Sequence, residues 1–416
     1  MELRNPIVTL MGHVDHGKSS ILDAIRGKEY TKLEVGEITQ HISCTFVPKK
    51  HIERLCENLL KKFKFQIIFN GFLFVDTPGH AAFVHLRKRG GSFADIAILV
   101  IDIIEGIKEQ TIESINIIKI YKIPFLIALN KIDKLPDWKI TKNLSFLEAI
   151  KEQKEKVLYE LDKKVYEIVA KMYEFGFNCE RFDRVTDFKT QIPIVPLSAK
   201  TKEGIAELLL IIAGISQIFL KDKLKVEEKN YGSVLEIKDV KGLGKVADCI
   251  LYSGKIKRGD YIIFAGKEPI VTKVKAIFLF PELSDIRFEK QFLSADYAFA
   301  CNSIRIWADN LENVIPGSEF IVVEKEEEIE NAKKELKTFE TIEFKKEIDG
   351  VIAKAESIGS LEALIRMLEQ KNIPIRIASI GKLKKEEILD AELIKNEKYK
   401  AILAFNVKIS EEEKQI

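Results

Sequence analysis

Residues 7–20 read IVTLMGHVDHGKSS, an apolar run followed by a glycine-containing loop. The segment 12–19 fits the pattern G-x-x-x-x-G-K-[ST], in which glycine lets successive backbone N–H groups point at phosphate oxygens. The Lys18 side chain supplies a cation to the β- and γ-phosphates, and the Ser19 hydroxyl is short enough to be a Mg²⁺ ligand. The stretch therefore predicts a nucleotide-binding loop between a strand at 6–10 and a helix at 20–26.

Short apolar runs and helix-length amphipathic stretches alternate from this loop to residue 220. The apolar runs suit buried parallel strands, which we expect at residues 6–10, 72–75, 96–101, 124–129 and 192–197. Helices are expected at 107–121 and 204–219, and one long charged helix over 144–174 precedes the last strand. Alternation of this kind predicts a doubly wound α/β domain, which we assign to residues 1–225.

A second nucleotide element follows the strand expected at 72–75, where residues 76–79 read DTPG. The Asp76 carboxylate at the strand end can hold Mg²⁺ through water, and the Gly79 amide can approach the γ-phosphate closely because glycine has no side chain. Alone, this segment is an ordinary turn sequence, but downstream of a phosphate loop it indicates nucleotide binding. The predicted phosphate-binding residues are Asp15, His16, Gly17, Lys18, Ser19, Ser20 and Gly79.

The base of the nucleotide is read by the segment 130–133 (NKID), which follows the strand expected at 124–129. The Asp133 carboxylate accepts from the N1–H and 2-amino group of guanine, a donor pair that adenine lacks. The segment 198–200 (SAK), after the last strand, brings the Ala199 amide to guanine O6. Open α/β sheets bind ligands at the carboxyl ends of their strands, so the four motifs together predict GTP binding. The predicted guanine-binding residues are Asn130, Lys131, Asp133, Ser198, Ala199 and Lys200.

The pattern changes near residue 230. Short strand-like runs separated by glycine turns predict a small antiparallel β-barrel over 226–325. Residues 326–347 are rich in Glu and Lys and predict a solvated charged linker or helix, while 348–416 alternate strands and helices as a βαβαβ unit does. The expected fold class is a multidomain α/β P-loop GTPase, followed by a small antiparallel β-barrel and a small βαβαβ α/β domain.

Composition and charge exclude several other classes of protein. The 66 Lys and Arg residues nearly balance the 64 Asp and Glu residues, which argues against a protein that coats DNA through overall charge. No apolar run reaches the roughly 20 residues needed to cross a bilayer, no secretory leader is evident, and the cysteines form no Cys-x-x-Cys. We therefore expect a cytoplasmic protein with reduced thiols and no membrane partner. Basic clusters without interleaved aromatic residues are interpreted as solvated faces.

Several segments resemble a known family. Residues 12–18 (GHVDHGK) and 76–80 (DTPGH) resemble the translational GTPases. Residues 38–42 (ITQHI), followed by 45–48 (TFVP), resemble the translation initiation factor 5B family, the archaeal and eukaryotic relatives of bacterial initiation factor 2. The segments 182–185 (FDRV) and 359–364 (GSLEAL) support the same resemblance. The sequence departs from the family at Glu37, where glycine is usual, and at Ser43-Cys44, where Gly-Ala is usual, so we expect altered mobility of this segment.

The resemblance implies further site residues and an activity. Thr39 would bind Mg²⁺ and sense the γ-phosphate, His80 would orient the attacking water, and Asp15 would lie near a monovalent cation. With Ser19 and, through water, Asp76, Thr39 completes the expected metal ligands. The implied activity is ribosome-stimulated hydrolysis of GTP to GDP and phosphate, which promotes the joining of ribosomal subunits and then releases the factor. The expected cofactors are GTP or GDP and Mg²⁺.

The implied partners are both ribosomal subunits with their ribosomal RNA, and a monomer is expected. The family continues into a further barrel that holds initiator tRNA, whereas this sequence stops at Ile416. Initiator tRNA and initiation factor 1A are therefore expected as partners only if that domain is supplied. Three other possibilities stay open here: an elongation or tRNA-delivery GTPase, a ribosome-binding module whose nucleotide is not turned over, and an inert fragment.

Overall fold

The computed structural model of the protein describes the residues 4–28, 30, 43–76, 87–88, 91–92, 94–141, 145–220, 224, 229–240, 242–266, 268–289, 291–337, 346–355, 361, 364–365, 367–369, 371–381, 383, 385–405 and 407. Their strands form sheets of seven, eight and three strands and two two-stranded ribbons. All five cysteines are buried thiols. Over these residues, no helix combines the length and the apolar character that crossing a membrane requires.

The seven-stranded sheet is the centre of the first unit. The strands of this unit, in chain order, are β1 (Ile7–Gly12), β2 (Ser43–Pro48), β3 (Gly71–Asp76), β4 (Arg87–Lys88), β5 (Gly91–Ser92), β6 (Ile96–Asp102), β7 (Phe125–Asn130), β8 (Cys179–Arg181) and β9 (Ile192–Pro196). The order in the sheet is β2-β3-β1-β6-β7-β9-β8, with only the edge strand β2 antiparallel, and β4 pairs with β5 in a separate ribbon. The five predicted strands are confirmed. Neither β2 nor β8 is a continuous apolar run, so the apolar pattern of the sequence does not predict these two strands.

Helices cover both faces of this sheet. They are α1 (Lys18–Arg26), α2 (Lys49–Leu55), α3 (Glu57–Phe63), α4 (Glu109–Tyr121), α5 (Phe146–Ala149), α6 (Glu155–Glu174) and α7 (Ile205–Phe219). Buried apolar residues of α1, α2, α3 and α7 form one core with one face of the sheet, and those of α4, α5 and α6 form a second core with the other face. The doubly wound α/β fold expected from the alternating pattern is therefore confirmed.

The prediction of a single long helix over 144–174 is wrong. The described chain has the short α5, a 3₁₀ turn at Ile150–Glu152, and then α6. The backbone of Gln153 is extended, and its side-chain amide exchanges two 2.8 Å hydrogen bonds with the backbone N–H and carbonyl of Lys139. This tertiary contact fixes Gln153 outside the helix, so the helical periodicity continues in the sequence while the helix itself is interrupted.

The second unit is built from antiparallel strands, as expected. They are β10 (Asn230–Val240), β11 (Gly244–Ser253), β12 (Lys255–Lys257), β13 (Tyr261–Phe264), β14 (Ile270–Lys273), β15 (Ala276–Leu279), β16 (Leu293–Ala295), β17 (Tyr297–Phe299), β18 (Asn302–Trp307) and β19 (Glu319–Val323). Eight strands follow the order β14-β13-β19-β10-β11-β18-β15-β16, and β12 pairs with β17 in a ribbon. Residues of the sheet and of the ribbon share one apolar core, and Gly242 has the positive φ of +91° that the turn between β10 and β11 requires.

The segment expected to be a solvated charged linker or helix contains α8 (Ile329–Lys337). One face of α8 is buried through Ile329, Ala332 and Leu336, which pack with Ile263 and Ile321 of the β-barrel. The third unit is a parallel sheet of β20 (Lys346–Ala355), β21 (Ile375–Ile380) and β22 (Ile402–Phe405), with helical residues at 361, 364–365 and 367–369 and α9 (Lys385–Glu392). This small α/β unit is confirmed, whereas the domain limits at 225, 325 and 347 stay predictions.

A buried ionic cluster joins the first unit to the β-barrel. Asp285, which is 0% exposed, lies 3.2 Å from the Arg26 guanidinium at the end of α1 and 2.8 Å from that of Arg287. The Ser43 hydroxyl at the start of β2 donates to the same carboxylate over 2.7 Å. The barrel loop 283–286 also donates two backbone N–H groups to carbonyl oxygens of β2. The barrel is therefore attached to the edge strand that directly follows residues 31–42.

Candidate nucleotide-binding site

The loop between β1 and α1 contains two glycines that tolerate no side chain. Gly12 has a φ of +135°, and a Cβ atom there would lie 2.3 Å from the carbonyl oxygen of Val100 in β6. Gly17 has a φ of +90°, and a Cβ atom there would lie 2.4 Å from Nδ2 of Asn130. The two glycines of the motif therefore let the loop pack against β6 and against the base motif at the same time.

The ammonium group of Lys18 is held inside this loop. Its Nζ donates to the carbonyl oxygens of Gly12 (3.0 Å) and His13 (2.8 Å). Burial lowers the pKa of Lys18, because the charged ammonium loses solvation. An anion bound in the loop would offset that loss, so the position of this cation suits phosphate. Asp15 of the loop and Ser20 in the first turn of α1 are exposed.

The hydroxyl of Ser19 and the carboxylate of Asp76 meet at the carboxyl end of the sheet. Ser19 Oγ donates to Asp76 Oδ2 over 2.6 Å. Asp76 is 0% exposed, its burial raises the pKa of the carboxyl, and Oδ1 has no hydrogen-bond partner among the residues that the structure describes. A hydroxyl and a carboxylate with an available oxygen are hard ligands of the kind that Mg²⁺ prefers. These two predicted metal ligands therefore fit a Mg²⁺ ion.

The side chain of His16 is buried, although His16 belongs to the phosphate motif. Its ring is 0% exposed, with Nδ1 lying 3.4 Å from the carbonyl oxygen of Val100. Burial lowers the pKa of His16 to about 4, so the imidazole is neutral at neutral pH. The imidazole therefore supplies no charge to a phosphate, and the side chain serves to pack the loop against β6.

Asn130 connects three of the four motifs. Its Nδ2 donates to the carbonyl oxygen of His16 over 2.9 Å, and its Oδ1 accepts from the backbone N–H of Ala199 over 3.0 Å. The side chain is 1% exposed, so it ties the phosphate loop to the loop after β9 from within the protein. Guanine O6, which the sequence assigns to the Ala199 amide, would share that N–H with Asn130.

Lys131 extends over the phosphate loop. Its Nζ donates to the carbonyl oxygen of Asp15 over 2.5 Å and lies 2.8 Å from the carboxylate of Asp102. Burial acts to raise the pKa of Asp102, but the hydrogen bond from Lys131 prevails and the pKa is lowered. Lys131 thus links the base motif to the phosphate loop and to the end of β6.

The carboxylate of Asp133, which is predicted to bind the base, is also held by a hydrogen bond. Ser198 Oγ, which is buried, donates to Asp133 Oδ1 over 2.6 Å. This bond occupies one oxygen of Asp133. Lys200, the last residue of the motif, is exposed. Gly79, His80 and Thr39 of the predicted site, as well as Glu37, lie outside the residues that the structure describes.

Three residues that shape this site are not among those predicted from the sequence. Asp102 ends the apolar strand β6 as Asp76 ends β3, so its position at a strand end was a usable signal. Gln110 Oε1 accepts a hydrogen bond from the backbone N–H of Val14 over 2.9 Å. The carboxylate of Glu203 accepts a hydrogen bond from Thr201 in the loop after β9. No local pattern distinguishes these last two from other polar residues of a helix or loop.

Comparison with known proteins places the chain among initiation factors. Residues 3–217 match the family described as "Elongation factor Tu GTP binding domain", and residues 324–416 match "Translation-initiation factor 2". A probable translation initiation factor IF-2 of Sulfolobus acidocaldarius is 48% identical over 98% of this chain and 69% of the relative, and that of Sulfurisphaera tokodaii is 47% identical over the same shares. The structure of GDP-bound aIF5B from Aeropyrum pernix has a TM-score of 0.84 and 44% identity, covering 100% of this chain and 70% of that one.

Proposed function

Because the chain belongs to the translation initiation factor IF-2 family, we propose that this translational GTPase binds GTP across the carboxyl ends of β1, β3, β7 and β9. One observation carries the proposal: the hydrogen bonds of Asn130 join His16 of the phosphate loop to Ala199 of the base loop. The GDP bound to the Aeropyrum pernix relative supports a guanine nucleotide. Because these relatives are initiation factors, an elongation or tRNA-delivery function is not favoured.

Each part of the nucleotide has proposed contacts. The backbone of residues 15–20 and the Lys18 ammonium bind the phosphates, because N–H groups at a helix N-terminus and a cation both stabilise negative charge. Ser19 and, through water, Asp76 would hold Mg²⁺, which would neutralise charge on the β- and γ-phosphates when bound. Asp133 reads the base, with Asn130, Lys131 and the loop 198–200 around it. The monovalent cation near Asp15 stays a prediction.

The base assignment is tested by Asp133→Asn. The carboxamide replaces a charged acceptor of two guanine donors, and its NH₂ group can instead donate to the 2-oxo group of xanthine. We expect GTP affinity to fall at least about tenfold, since one charge-assisted hydrogen bond contributes about 1.5–3 kcal/mol, and xanthosine triphosphate to become the preferred nucleotide. Titration calorimetry measures both affinities.

The matched control is Asp137→Asn, which makes the same change at an exposed residue four positions later. We expect this variant to bind GTP as the unmodified protein does. Equal GTP affinity in the two variants would overturn the base assignment.

We further propose that hydrolysis takes place on the ribosome, promotes subunit joining and then releases the factor. Thr39 and Gly79 would hold the γ-phosphate, and loss of that phosphate would let their segments relax. His80 would orient the attacking water. This part of the proposal is supported by the family resemblance and by the position of these residues, since residues 77–80 directly follow β3 and residues 31–42 directly precede β2. Hydrolysis without ribosomes is expected to be slow, because an arginine finger is not evident in the sequence.

The catalytic assignment is tested by His80→Ala in a multiple-turnover assay with and without ribosomes. We expect GTP binding to be retained and ribosome-stimulated phosphate release to be lost, since the water is no longer oriented. His85→Ala is the control and should behave as the unmodified protein. Stimulated turnover in His80→Ala equal to that of the control would exclude the role. GTP that stays intact with ribosomes in the unmodified protein would instead favour a binding module.

A further inference from the structure

A fully buried carboxylate lies beside the base loop. Glu203 is 0% exposed and stands two residues before α7. Its Oε2 accepts from Thr201 Oγ1 over 2.7 Å and from the indole Nε1–H of Trp138 over 3.3 Å. Its Oε1 accepts from the backbone N–H of Thr141 over 2.9 Å and also from the hydroxyl of the same residue. Glu203 therefore connects the loop after β9 to residues 138–141, which follow the base motif.

The four donors around Glu203 are neutral and all point at carboxylate oxygens. An ionised carboxylate accepts about four hydrogen bonds and donates none, so this set of donors matches its capacity. A glutamine of the same shape would direct an NH₂ group at one of the two pairs. The threonine hydroxyl of that pair can turn to accept from it, but the indole N–H of Trp138 or the backbone N–H of Thr141 would lose its acceptor. The arrangement therefore favours a carboxylate over a carboxamide, because a buried N–H group without an acceptor is unfavourable.

A continuous chain of hydrogen bonds runs from Glu203 to the base-reading residue. Thr201, held by Glu203, donates its backbone N–H to Ser198 Oγ over 3.1 Å, and Ser198 Oγ donates in turn to Asp133 Oδ1 over 2.6 Å. The loop is also closed by its backbone, because the N–H of Ser198 donates to the Glu203 carbonyl over 2.9 Å. The position of Asp133 thus depends on the position of Glu203 through two intervening residues.

We propose that Glu203 is a positioning residue for guanine selectivity, a role that rests on the proposed GTP site. By fixing the loop 198–203, it sets the distance between the Asp133 carboxylate, which would accept from the guanine 2-amino group, and the Ala199 amide. The phosphate contacts come from the β1–α1 loop. Displacing the base loop should therefore weaken recognition of the base more than binding of the phosphates.

The test compares GDP with inosine diphosphate, which lacks only the 2-amino group of guanine. Binding of both nucleotides is measured by calorimetry for the unmodified chain, Glu203→Gln and Thr201→Val. We expect Glu203→Gln to reduce the ratio of GDP affinity to inosine diphosphate affinity by about tenfold, the effect of one charge-assisted hydrogen bond. Thr201→Val removes the hydroxyl that joins Glu203 to the loop while keeping its shape, and should reduce the ratio in the same direction.

Glu207→Gln is the matched control. Glu207 lies one helical turn after Glu203, is 2% exposed, and accepts from the backbone N–H of Leu147 over 3.3 Å without contacting the base loop. Its substitution should leave the ratio unchanged, even if thermal unfolding shows lower stability.

The outcomes separate this inference from the proposed function. An unmodified chain that shows no preference for GDP overturns the proposed GTP site and this inference with it. A clear preference that persists unchanged in a folded Glu203→Gln variant overturns the positioning role alone, as does an equal loss of affinity for both nucleotides. If Glu203→Gln does not fold, Thr201→Val replaces it in the test. A reduced ratio of GDP affinity to inosine diphosphate affinity in that variant then supports the positioning role, and an unchanged ratio overturns it.

Discussion

At the scale of single residues, His16 shows how a motif position and a side-chain role can differ. The sequence places His16 among the phosphate-binding residues, and its carbonyl oxygen does contact Asn130. The imidazole, however, is buried against β6 with a pKa lowered to about 4. The motif specifies the backbone path of the loop, whereas the surroundings of the ring, which only the folded chain supplies, determine its charge.

Burial of His16 should make stability depend on pH. The folded state keeps the ring neutral down to about pH 4, whereas the unfolded chain takes up a proton near pH 6.5. The contribution of neutral His16 to the free energy of unfolding is therefore fully present above pH 6.5. It is lost as the pH falls from 6.5 to 4, by about 1.4 kcal/mol per pH unit. Urea unfolding of the nucleotide-free protein at pH 7.5, 6 and 5 measures the slope.

The His16→Gln variant should take up about one proton fewer on unfolding between pH 6.5 and 5. Its free energy of unfolding should therefore change less over this range. The His51 ring, whose pKa burial also lowers, remains in this variant and accounts for part of any residual slope. An identical pH slope in the two proteins would contradict the buried neutral state of His16.

At the scale of elements, α8 was the least evident in the sequence. Acidic and basic residues dominate 324–337, so the segment was interpreted as solvated. Its apolar residues Ile329, Ala332 and Leu336 are nevertheless spaced along one face of a helix and pack on the β-barrel. Three apolar residues among many charges are a weak periodic signal, and only the folded barrel supplies the apolar face, with Ile263 and Ile321, against which they pack.

We predict that Leu336→Ala destabilises the protein by about 2–5 kcal/mol, because it leaves a cavity where a side chain is 1% exposed. The change is measured by chemical unfolding followed through tryptophan fluorescence, since Trp307 lies in β18 of the barrel. Lys334→Ala alters an exposed residue of the same helix and should change stability by no more than about 0.5 kcal/mol. Equal midpoints for the two variants would show that α8 does not stabilise the barrel.

At the scale of the whole molecule, the cluster of Asp285 with Arg26 and Arg287 determines how the first unit meets the barrel. Burial acts to raise the pKa of Asp285, but the hydrogen bond from Arg287 and the charge of Arg26 prevail and lower it. Arg26 ends the helix that begins at Lys18, and Ser43 of the same cluster pairs in register with Asp76. The interface is thus continuous with the elements that carry the proposed phosphate and metal ligands.

Asp285→Asn should destabilise the protein by about 3–5 kcal/mol, because it removes the negative charge that the buried guanidinium groups of Arg26 and Arg287 share, although Arg26 would keep its 3.3 Å ion pair with Asp23. Urea unfolding measures this loss, with Asp296→Asn as the control, since Asp296 is an exposed residue of the same barrel. A stability equal to that of the control would indicate that the ionic cluster does not hold the interface.

Much of the fold and part of the site follow from local sequence. The apolar runs of β1, β3, β6, β7 and β9 predicted the parallel sheet, because strands buried on both faces need uninterrupted apolar residues. The edge strands β2 and β8 and the break before α6 could not be predicted, since each depends on a distant neighbour. The order of the four nucleotide motifs predicts that they meet at the carboxyl edge of the sheet, and the structure brings Ser19 to Asp76 and Asn130 to Ala199 there.

The sequence by itself determined the class of fold, the phosphate loop and the choice of guanine as the expected base. These features depend on residue types at short spacing, such as Gly12, Gly17 and Asp133, which a local sequence pattern is enough to recognise. Only the tertiary structure decided that His16 is neutral, that Asp102 holds Lys131, that Glu203 supports the base loop and that Asp285 joins two units. Each of these depends on groups brought together from distant parts of the chain, where burial and opposite charge act over a few ångströms.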